Sequence, residues 1–207
     1  MKMTIYEYEK AKVKMFIERW KNCGYEIEYN IIKDGKPTDI TFTNKEEGIP
    51  CHFLFHDGRI ICYGDYSDYI WEKDWGGIGE LPLNSIGYFL SKSTAKHDFD
   101  DDFYSQWKEG FREDVRDWCV GEAIERSGYD DYDEAFDKTI GDLPYSGYDF
   151  ARKMDGFFEA IGCDDAFEYY DECDAYPAHA LAQVAMLRLI TEDWNEKKEE
   201  LTQEEAK

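Results

Sequence analysis

The sequence predicts an α+β protein in which an N-terminal helix and an antiparallel β-meander precede an acidic, mostly α-helical C-terminal half. Apolar residues first recur at helical spacing and then alternate with polar residues, between turn sequences, as far as about residue 71. From about residue 98 the strand patterns almost vanish and acidic residues become frequent. This change predicts a sheet domain over residues 1–97 and an acidic helical domain over residues 98–207, or one continuous globular unit made of both.

The chain opens with a predicted helix and a predicted pair of strands. Apolar side chains fall on one helical face over residues 6–22, and Gly24 is placed to end that helix. Two alternating segments, 25–30 and 39–43, flank the turn sequence Asp34-Gly35-Lys36-Pro37. We therefore expect two antiparallel strands directly after the first helix.

The clearest hairpin covers residues 51–63, where Asp57-Gly58 supplies the positive φ angles that a two-residue turn requires. Residues 66–71 predict one more strand and residues 83–92 a short helix. The glycine-rich stretch 76–79 lacks the Gly-Lys-Ser/Thr ending of a P-loop and is predicted to be a plain loop. These elements predict a meandering sheet with the first helix across one face.

The second half is predicted to be a series of amphipathic helices. Gly128 and Gly162 are placed to end helices, Ser146 to cap one, and Pro177 to occupy the first turn of the last. The predicted apolar stripes run over residues 103–118, 132–140, 150–161 and 181–194.

The net charge is −23, from 47 acidic residues against 24 Lys and Arg, and it is distributed unevenly. Residues 1–97 hold 15 acids and 13 bases, whereas residues 98–207 hold 32 acids and 11 bases. A field of this sign makes direct binding to nucleic acid or to an anionic membrane surface improbable, because both are themselves negative. A basic partner, a bound cation or simple solubility remains as the explanation.

None of the six cysteines lies in a CxxC pair, and we predict reduced, mostly buried thiols in a cytosol. No apolar segment follows Met1-Lys2-Met3 as a secretory signal, and no apolar run approaches the ~20 residues that span a bilayer. We therefore expect a cytoplasmic protein with no membrane partner.

One Cys/His group is a candidate zinc site. His52 and His56 share one face of a predicted strand, and Cys62 can approach Cys51 across the hairpin. Zinc needs four ligands that converge, yet Cys51 points to the face opposite both histidines. We therefore predict two exposed imidazoles over a buried Cys51, with no metal and no cofactor. No G-x-S-x-G motif is present, while a Cys–His nucleophile pair stays open.

Acidic residues form three clusters in the second half. Metal-dependent nucleases also use clustered carboxylates, but they keep a few acids in a cleft and surround them with bases. Here the acids far outnumber the bases, and neither of the first two clusters has the spacing of an EF-hand loop. The clusters comprise Asp98, Asp100, Asp101 and Asp102; Asp130, Asp131, Asp133 and Glu134; and Asp164, Asp165, Glu168, Asp171, Glu172 and Asp174.

Rows of acids on helices, together with these clusters, predict a partner-binding surface. Residues three or four positions apart lie about 5–6 Å apart on a helix, and B-DNA carries one charge per about 1.7 Å of axis, counting both strands. Such rows resemble a duplex backbone, which a basic DNA- or RNA-binding protein would meet with its nucleic-acid groove. The predicted rows are Glu109, Glu113 and Asp117, and Asp164, Glu168, Asp171 and Glu172.

The alternative is that the acids are only solvated surface, or an adaptation to a salt-rich cytoplasm. That alternative predicts acids along the whole chain. Residues 1–97 are instead nearly neutral, which favours local selection of the charge.

A strand that ends in Gly64-Asp65-Tyr66, followed by aromatic residues as far as Trp71 and then by a short helix over 86–90, resembles small uncharacterised proteins of bacteriophages and prophages. The resemblance covers about residues 50–105 and carries no catalytic residues. It implies a mobile-element origin, a setting in which small acidic DNA mimics block restriction or CRISPR nucleases.

We therefore expect a non-catalytic counter-defence protein that binds and inhibits a host nucleic-acid-binding or nuclease complex through residues 98–174. One alternative is a metal-dependent hydrolase or nuclease that uses the clustered carboxylates. The other is an acidic interaction module without mimicry. A homodimer is a further possibility, because exposed aromatic residues favour self-association. The acidic halves of the two copies would then have to face away from each other.

Overall fold

A computed structural model describes residues 3–72, 75, 77–164, 166–169 and 172–205. The chain forms two compact units: the helical unit, Met1–Tyr8 with His97–Ala175, and the sheet unit, Glu9–Lys96 with Tyr176–Lys207. The strands are β1 (Tyr25–Lys33), β2 (Lys36–Asn44), β3 (Ile49–His56), β4 (Arg59–Gly64), β5 (Tyr69–Trp71), β6 (Asp98–Phe99) and β7 (Asp174–Ala175). The α-helices are α1 (Ile5–Cys23), α2 (Ile86–Leu90), α3 (Asp101–Asp114), α4 (Gly121–Ser127), α5 (Tyr132–Thr139), α6 (Gly147–Ile161) and α7 (Ala178–Glu205).

The first five strands form an antiparallel sheet in the order β1-β2-β3-β4-β5, which confirms the predicted meander. The turn between β3 and β4 has φ angles of 47° at Asp57 and 72° at Gly58, as a two-residue hairpin turn requires. Asp34 and Gly35 repeat this geometry between β1 and β2, with φ angles of 52° and 69°. The two dipeptides thus form the tight turns of the β1–β2 and β3–β4 hairpins.

Helix α1 confirms the first predicted helix, and Gly24 follows it with a φ of 92°. Trp20 is buried and lies against the Phe42 ring of β2, with ring centroids 5.2 Å apart. The helix thus packs on the sheet through the apolar face that its sequence spacing predicts.

Helix α7 belongs to the sheet unit, which differs from the predicted division at residue 98. Leu181, Val184 and Leu187 are at most 1% exposed and share one core with Phe42 and Phe53 of the sheet. Between Ala180 and Ile190 almost every side chain of α7 is buried. A helix that is apolar on nearly all sides must be enclosed, and here the sheet core encloses it.

The helical unit has its own core, dominated by aromatic residues. Trp107 and Phe111 of α3 stack with ring centroids 4.3 Å apart, and Phe111 meets Phe157 of α6 edge to face at 6.1 Å. The predicted helix over 103–118 is shorter than expected, because α3 ends at Asp114 and a separate 3-10 turn follows at Arg116–Trp118.

The predicted caps of α6 are confirmed. The Ser146 side chain accepts a hydrogen bond from the backbone N–H of Asp149, and Gly162 ends the helix with a φ of 78°. Gly128 ends α4 in the same way, with a φ of 83°. None of the helices in the described ranges is long and apolar enough to cross a membrane.

Strands β6 and β7 form a two-residue antiparallel ladder that the sequence patterns do not predict. Asp98 pairs with Ala175 and Phe99 with Asp174. Two residues are too few to show the alternation by which strands are recognised. The ladder joins the two ends of the long segment that the helical unit contributes to the chain.

Candidate functional site

The negative charge is concentrated in the helical unit. This unit holds 26 acidic and 8 basic residues, a net charge of −18, whereas the sheet unit holds 21 acidic and 16 basic residues, a net charge of −5. The division by compact units therefore isolates the acidic part of the chain, and the helical unit is the candidate functional site.

The first acidic cluster surrounds the start of α3. Asp100 is the N-cap of this helix, and its carboxylate accepts hydrogen bonds from the Phe103 N–H at 2.7 Å and from the Tyr8 hydroxyl at 2.6 Å. Burial and the Asp100 carboxylate raise the pKa of Tyr8, so the phenol keeps its proton and donates. Asp101 and Asp102 follow in the first turn and are exposed. Asp100 thus has a structural role, while its two neighbours face solvent.

The β6–β7 ladder brings the end of the third cluster next to the first. Asp174 pairs with Phe99, and the Asp100 N–H donates to the Cys173 carbonyl at 3.0 Å. Glu172 accepts a hydrogen bond from Trp107 Nε1 at 3.2 Å. We refer to the resulting set as the joined acidic patch: Asp98, Asp100, Asp101, Asp102, Glu172 and Asp174.

Most carboxylates of the second cluster make hydrogen bonds or ion pairs within the helical unit. Asp131 is the N-cap of α5 and accepts from the Glu134 N–H at 2.8 Å, while Glu134 accepts from the Asp130 N–H at 2.7 Å. Asp133 pairs with Arg116 at 2.8 Å, and this hydrogen bond lowers the pKa of its carboxyl. Sequence reasoning missed the capping role, although an acid followed three residues later by Glu is a capping-box signal.

The predicted acidic rows are only partly present. Glu109 and Glu113 lie one turn apart on α3, with Glu113 3.8 Å from Arg116. Asp117 lies in the 3-10 turn after α3 and does not continue the row along that helix.

In the second row, Glu168 lies in the 3-10 turn Ala166–Tyr169, with Asp164 before it and Glu172 after it. Asp165 and Asp171 lie outside the described residues. The described acids of this row therefore lie in separate short segments and not along one helix.

Outside the joined acidic patch, five of the predicted acids project from the surface without a structural role. Each is exposed and, within the part of the chain that the structure describes, makes no side-chain hydrogen bond or ion pair. Their charge is available to a partner. They are Glu109, Asp117, Asp130, Asp164 and Glu168.

The predicted Cys/His group separates onto two faces of β3, as its alternation predicts. Cys51 and Cys62 are buried with their Sγ atoms 3.2 Å apart, and burial raises the pKa of the Cys62 thiol. His56 is exposed as predicted, but the prediction is wrong for His52, which is half-buried, lies 3.1 Å from the Thr41 hydroxyl and stacks on Tyr63 at a ring distance of 4.8 Å. Across the described ranges, no group of three or more His, Cys, Asp or Glu side chains is placed to hold a metal ion.

One hydroxyl–imidazole pair in the sheet unit was not predicted. Ser67 Oγ lies 2.9 Å from His179 Nδ1, and the Ser67 backbone has a φ of 68°. Gln183, fully buried, donates to the Tyr66 and Ser67 carbonyls at 2.8 Å. Among the described residues no carboxylate hydrogen-bonds to His179, so no third group orients the imidazole. The contacts fasten the β4–β5 loop to the start of α7, and the 112 residues between Ser67 and His179 hide this from sequence reasoning.

A cleft of about 340 Å³ in the sheet unit is also lined by basic residues. His56 lies 3.2 Å from Asp57, and Arg59 lies 3.9 Å from Glu72. The charged lining residues include Lys36, Asp57 and Arg59, so acids and bases are mixed and the cleft is a weaker candidate than the helical unit.

Comparison with protein-family models, curated proteins and solved structures finds no match for the chain. The charge and the geometry of the helical unit are therefore the only basis for a functional proposal.

Proposed function

We propose that this protein is a non-catalytic counter-defence protein that inhibits a host nuclease or other nucleic-acid-binding complex. Its acidic helical unit would occupy the basic groove that normally holds DNA or RNA. The observation that carries the proposal is the net charge of −18 on a unit with its own packed core.

The packed core makes the acidic surface a fixed one. Phe111, Phe136 and Phe157 are at most 1% exposed, and α3, α5 and α6 pack around them together with the short turns that carry most of the exposed carboxylates. A charged surface on a folded support loses little conformational entropy when it binds, in contrast to a disordered acidic tail. A structured basic groove is therefore the partner that this unit fits.

The exposed carboxylates would supply most of the attraction. Glu109, Asp117, Asp130, Asp164 and Glu168 would face the partner's Lys and Arg side chains, together with the exposed members of the joined acidic patch. Such pairs accelerate encounter and weaken as salt is added. The capping carboxylates Asp100 and Asp131 would contribute mainly by holding the helices.

Displacement of DNA tests the proposal directly. Candidate host nuclease complexes would be loaded with fluorescently labelled duplex DNA and titrated with the protein at several salt concentrations. We expect the protein to release the DNA, with an affinity that falls as salt rises. Binding that leaves the DNA in place would support an acidic interaction module without mimicry and would contradict the proposal.

Two matched charge variants locate the surface. The helical-unit variant carries Glu109→Gln, Asp117→Asn, Asp130→Asn and Glu168→Gln, and the sheet-unit control carries Glu28→Gln, Asp34→Asn, Asp65→Asn and Glu80→Gln. Both remove four exposed negative charges. We expect about tenfold weaker binding from the first and a much smaller change from the second. Equal losses of affinity in the two variants would show that binding depends on the net charge of the protein and not on the helical-unit surface.

A further inference from the structure

Two tyrosines of the helical unit are almost completely exposed. Tyr145 is 97% exposed and Tyr148 83% exposed, and Leu143 beside them is 48% exposed. The other large aromatic side chains of α3, α5 and α6, such as Trp107, Phe136 and Phe157, are buried. Neither tyrosine belongs to the apolar stripe of α6, so the packing of the unit does not account for them. Three large side chains this exposed within six consecutive residues make the segment a candidate interaction site.

Local hydrogen bonds hold this segment in place. The Asp149 N–H donates to Ser146 Oγ at 3.3 Å, and the Tyr145 N–H donates to the Asp149 carboxylate at 3.2 Å, which is a reciprocal cap. Arg152 pairs with the same carboxylate at 2.8 Å.

Two lysines hold the preceding turn. Lys108 donates to the Gly141 carbonyl at 2.8 Å, and Lys153 donates to the Asp142 carbonyl at 3.2 Å. The tyrosines are thus presented on an ordered backbone, which lowers the entropy that their binding would cost.

The tyrosine segment lies against the joined acidic patch. A Cβ atom added to Gly147 would be 3.7 Å from Asp174 Oδ1 and 3.8 Å from Phe99 Cβ. Phe99 and Asp174 are the paired residues of the β6–β7 ladder. The backbone between the two tyrosines therefore passes beside the β6–β7 ladder, within the unit whose net charge is −18.

We infer that Tyr145 and Tyr148 are the aromatic anchor of the partner-binding surface, and that they receive arginine side chains from an arginine-lined groove. A guanidinium is planar, stacks on an aromatic face and can bind a carboxylate at the same time, whereas a lysine ammonium is a compact, strongly hydrated charge. The net charge of −18 on the unit opposes a second copy of this chain as the occupant. The inference rests on the proposed function and specifies the chemistry of the partner.

Labelled nona-arginine and nona-lysine peptides provide the probe. We expect the native protein to bind the arginine peptide about tenfold more tightly than the lysine peptide in fluorescence anisotropy titrations. Tyr145→Ala with Tyr148→Ala should abolish most of this preference and leave binding of the lysine peptide nearly unchanged. Tyr145→Phe with Tyr148→Phe should keep the preference, because the rings remain. Tyr6→Ala, which removes a tyrosine that is 50% exposed, should also keep it.

Two results would overturn the inference: no arginine preference in the native protein, or a preference that survives the double alanine variant. A native dimer that the double alanine variant converts to monomers, as measured by sedimentation, would also overturn it in favour of self-association.

The helical-unit charge variant separates the two proposals. Suppose that the charge variant binds both peptides more weakly, while the double alanine variant keeps the arginine preference. The tyrosine anchor would then be refuted and the proposed function would stand. Unchanged binding of both peptides by the charge variant would contradict the proposed function.

Discussion

The Tyr8 hydroxyl donates a hydrogen bond to the Asp100 carboxylate across 2.6 Å and thereby links the beginning of α1 to the beginning of α3. The same carboxylate caps α3. This pair explains why the first residues of the chain belong to the helical unit. It also shows that an acid which sequence reasoning assigns to a partner surface can have a structural role.

Replacement of Asp100 should therefore be costly. Asp100→Ala removes the cap of α3 and leaves the partly buried Tyr8 hydroxyl without its acceptor, so we expect about 2–3 kcal/mol less stability in urea unfolding. Asp101→Ala, one residue further along, should cost less than about 1 kcal/mol, because only its interaction with the helix dipole is lost. Equal losses from the two variants would refute the structural role of Asp100.

Replacement by alanine should have opposite effects at two glycines of α6, one within the helix and one at its C-terminal cap. Gly162 has a φ of 78°, and an added Cβ atom would lie 2.8 Å from the Ala123 Cβ, so Gly162→Ala should destabilise the protein by more than about 1 kcal/mol. Gly156 lies within α6 with open space around it, so Gly156→Ala should stabilise by about 0.5–1 kcal/mol. Thermal unfolding of the two variants provides the comparison, and shifts of the same sign would contradict the described end of α6.

Asp149 should make the stability of the helical unit depend on acid pH. Its hydrogen bonds with Arg152 and with the Tyr145 N–H lower the pKa of its carboxyl below the usual 3.8. Its contribution is therefore complete above about pH 3.8 and is lost as the pH falls through the lower value of the folded state. Asp149→Asn should lower the melting temperature at pH 7, and the difference from the native protein should narrow below about pH 3.8.

A matched variant controls this experiment. Glu159→Gln changes an acid of α6 that, unlike Asp149, is exposed and makes no side-chain hydrogen bond or ion pair in the described ranges. The melting temperature of Glu159→Gln should equal that of the native protein at pH 7 and also below about pH 3.8. A gap for Asp149→Asn that stays constant down to pH 2 would show that the hydrogen bonds, and not the charge, provide the stabilisation.

The sheet should not fold without the last helix. A fragment of residues 1–97 contains all five strands of the sheet but lacks Leu181, Val184 and Leu187, which fill its core. We expect this fragment to show little cooperative unfolding, because deleting three buried aliphatic residues alone removes several kcal/mol. Addition of residues 176–205 as a separate peptide should restore part of the structure, measured by circular dichroism. A fragment 1–97 that unfolds cooperatively by itself would contradict the described core.

Features encoded by adjacent residues could be predicted from the sequence. Asp57-Gly58 fixes a hairpin by its own φ angles, and Ser146 and Gly162 mark the ends of α6 by local hydrogen bonds. The helical stripes and the strand alternation are local in the same sense, so the fold class was predictable.

The rest depends on contacts between residues that are distant in the sequence. The β6–β7 ladder, the Tyr8–Asp100 hydrogen bond and the return of α7 to the sheet core each join segments more than seventy residues apart. For the candidate site, the excess of charge was visible in the composition. The division between capping and solvent-facing carboxylates was only partly visible. The capping-box spacing of Asp131 and Glu134 is a sequence signal, whereas the cap at Asp100 is defined only by where the first turn of α3 begins.

The place of α7 in the sheet core has a consequence for synthesis on the ribosome. The strands β1 to β5 are complete by residue 71, but Leu187 emerges more than a hundred residues later. At a synthesis rate of about 5–20 residues per second, the apolar face of the sheet stays without helix α7 for on the order of ten seconds. The residues made in that interval include those of the helical unit that carry its net charge of −18, and their mutual repulsion keeps nascent chains apart while the sheet is still open.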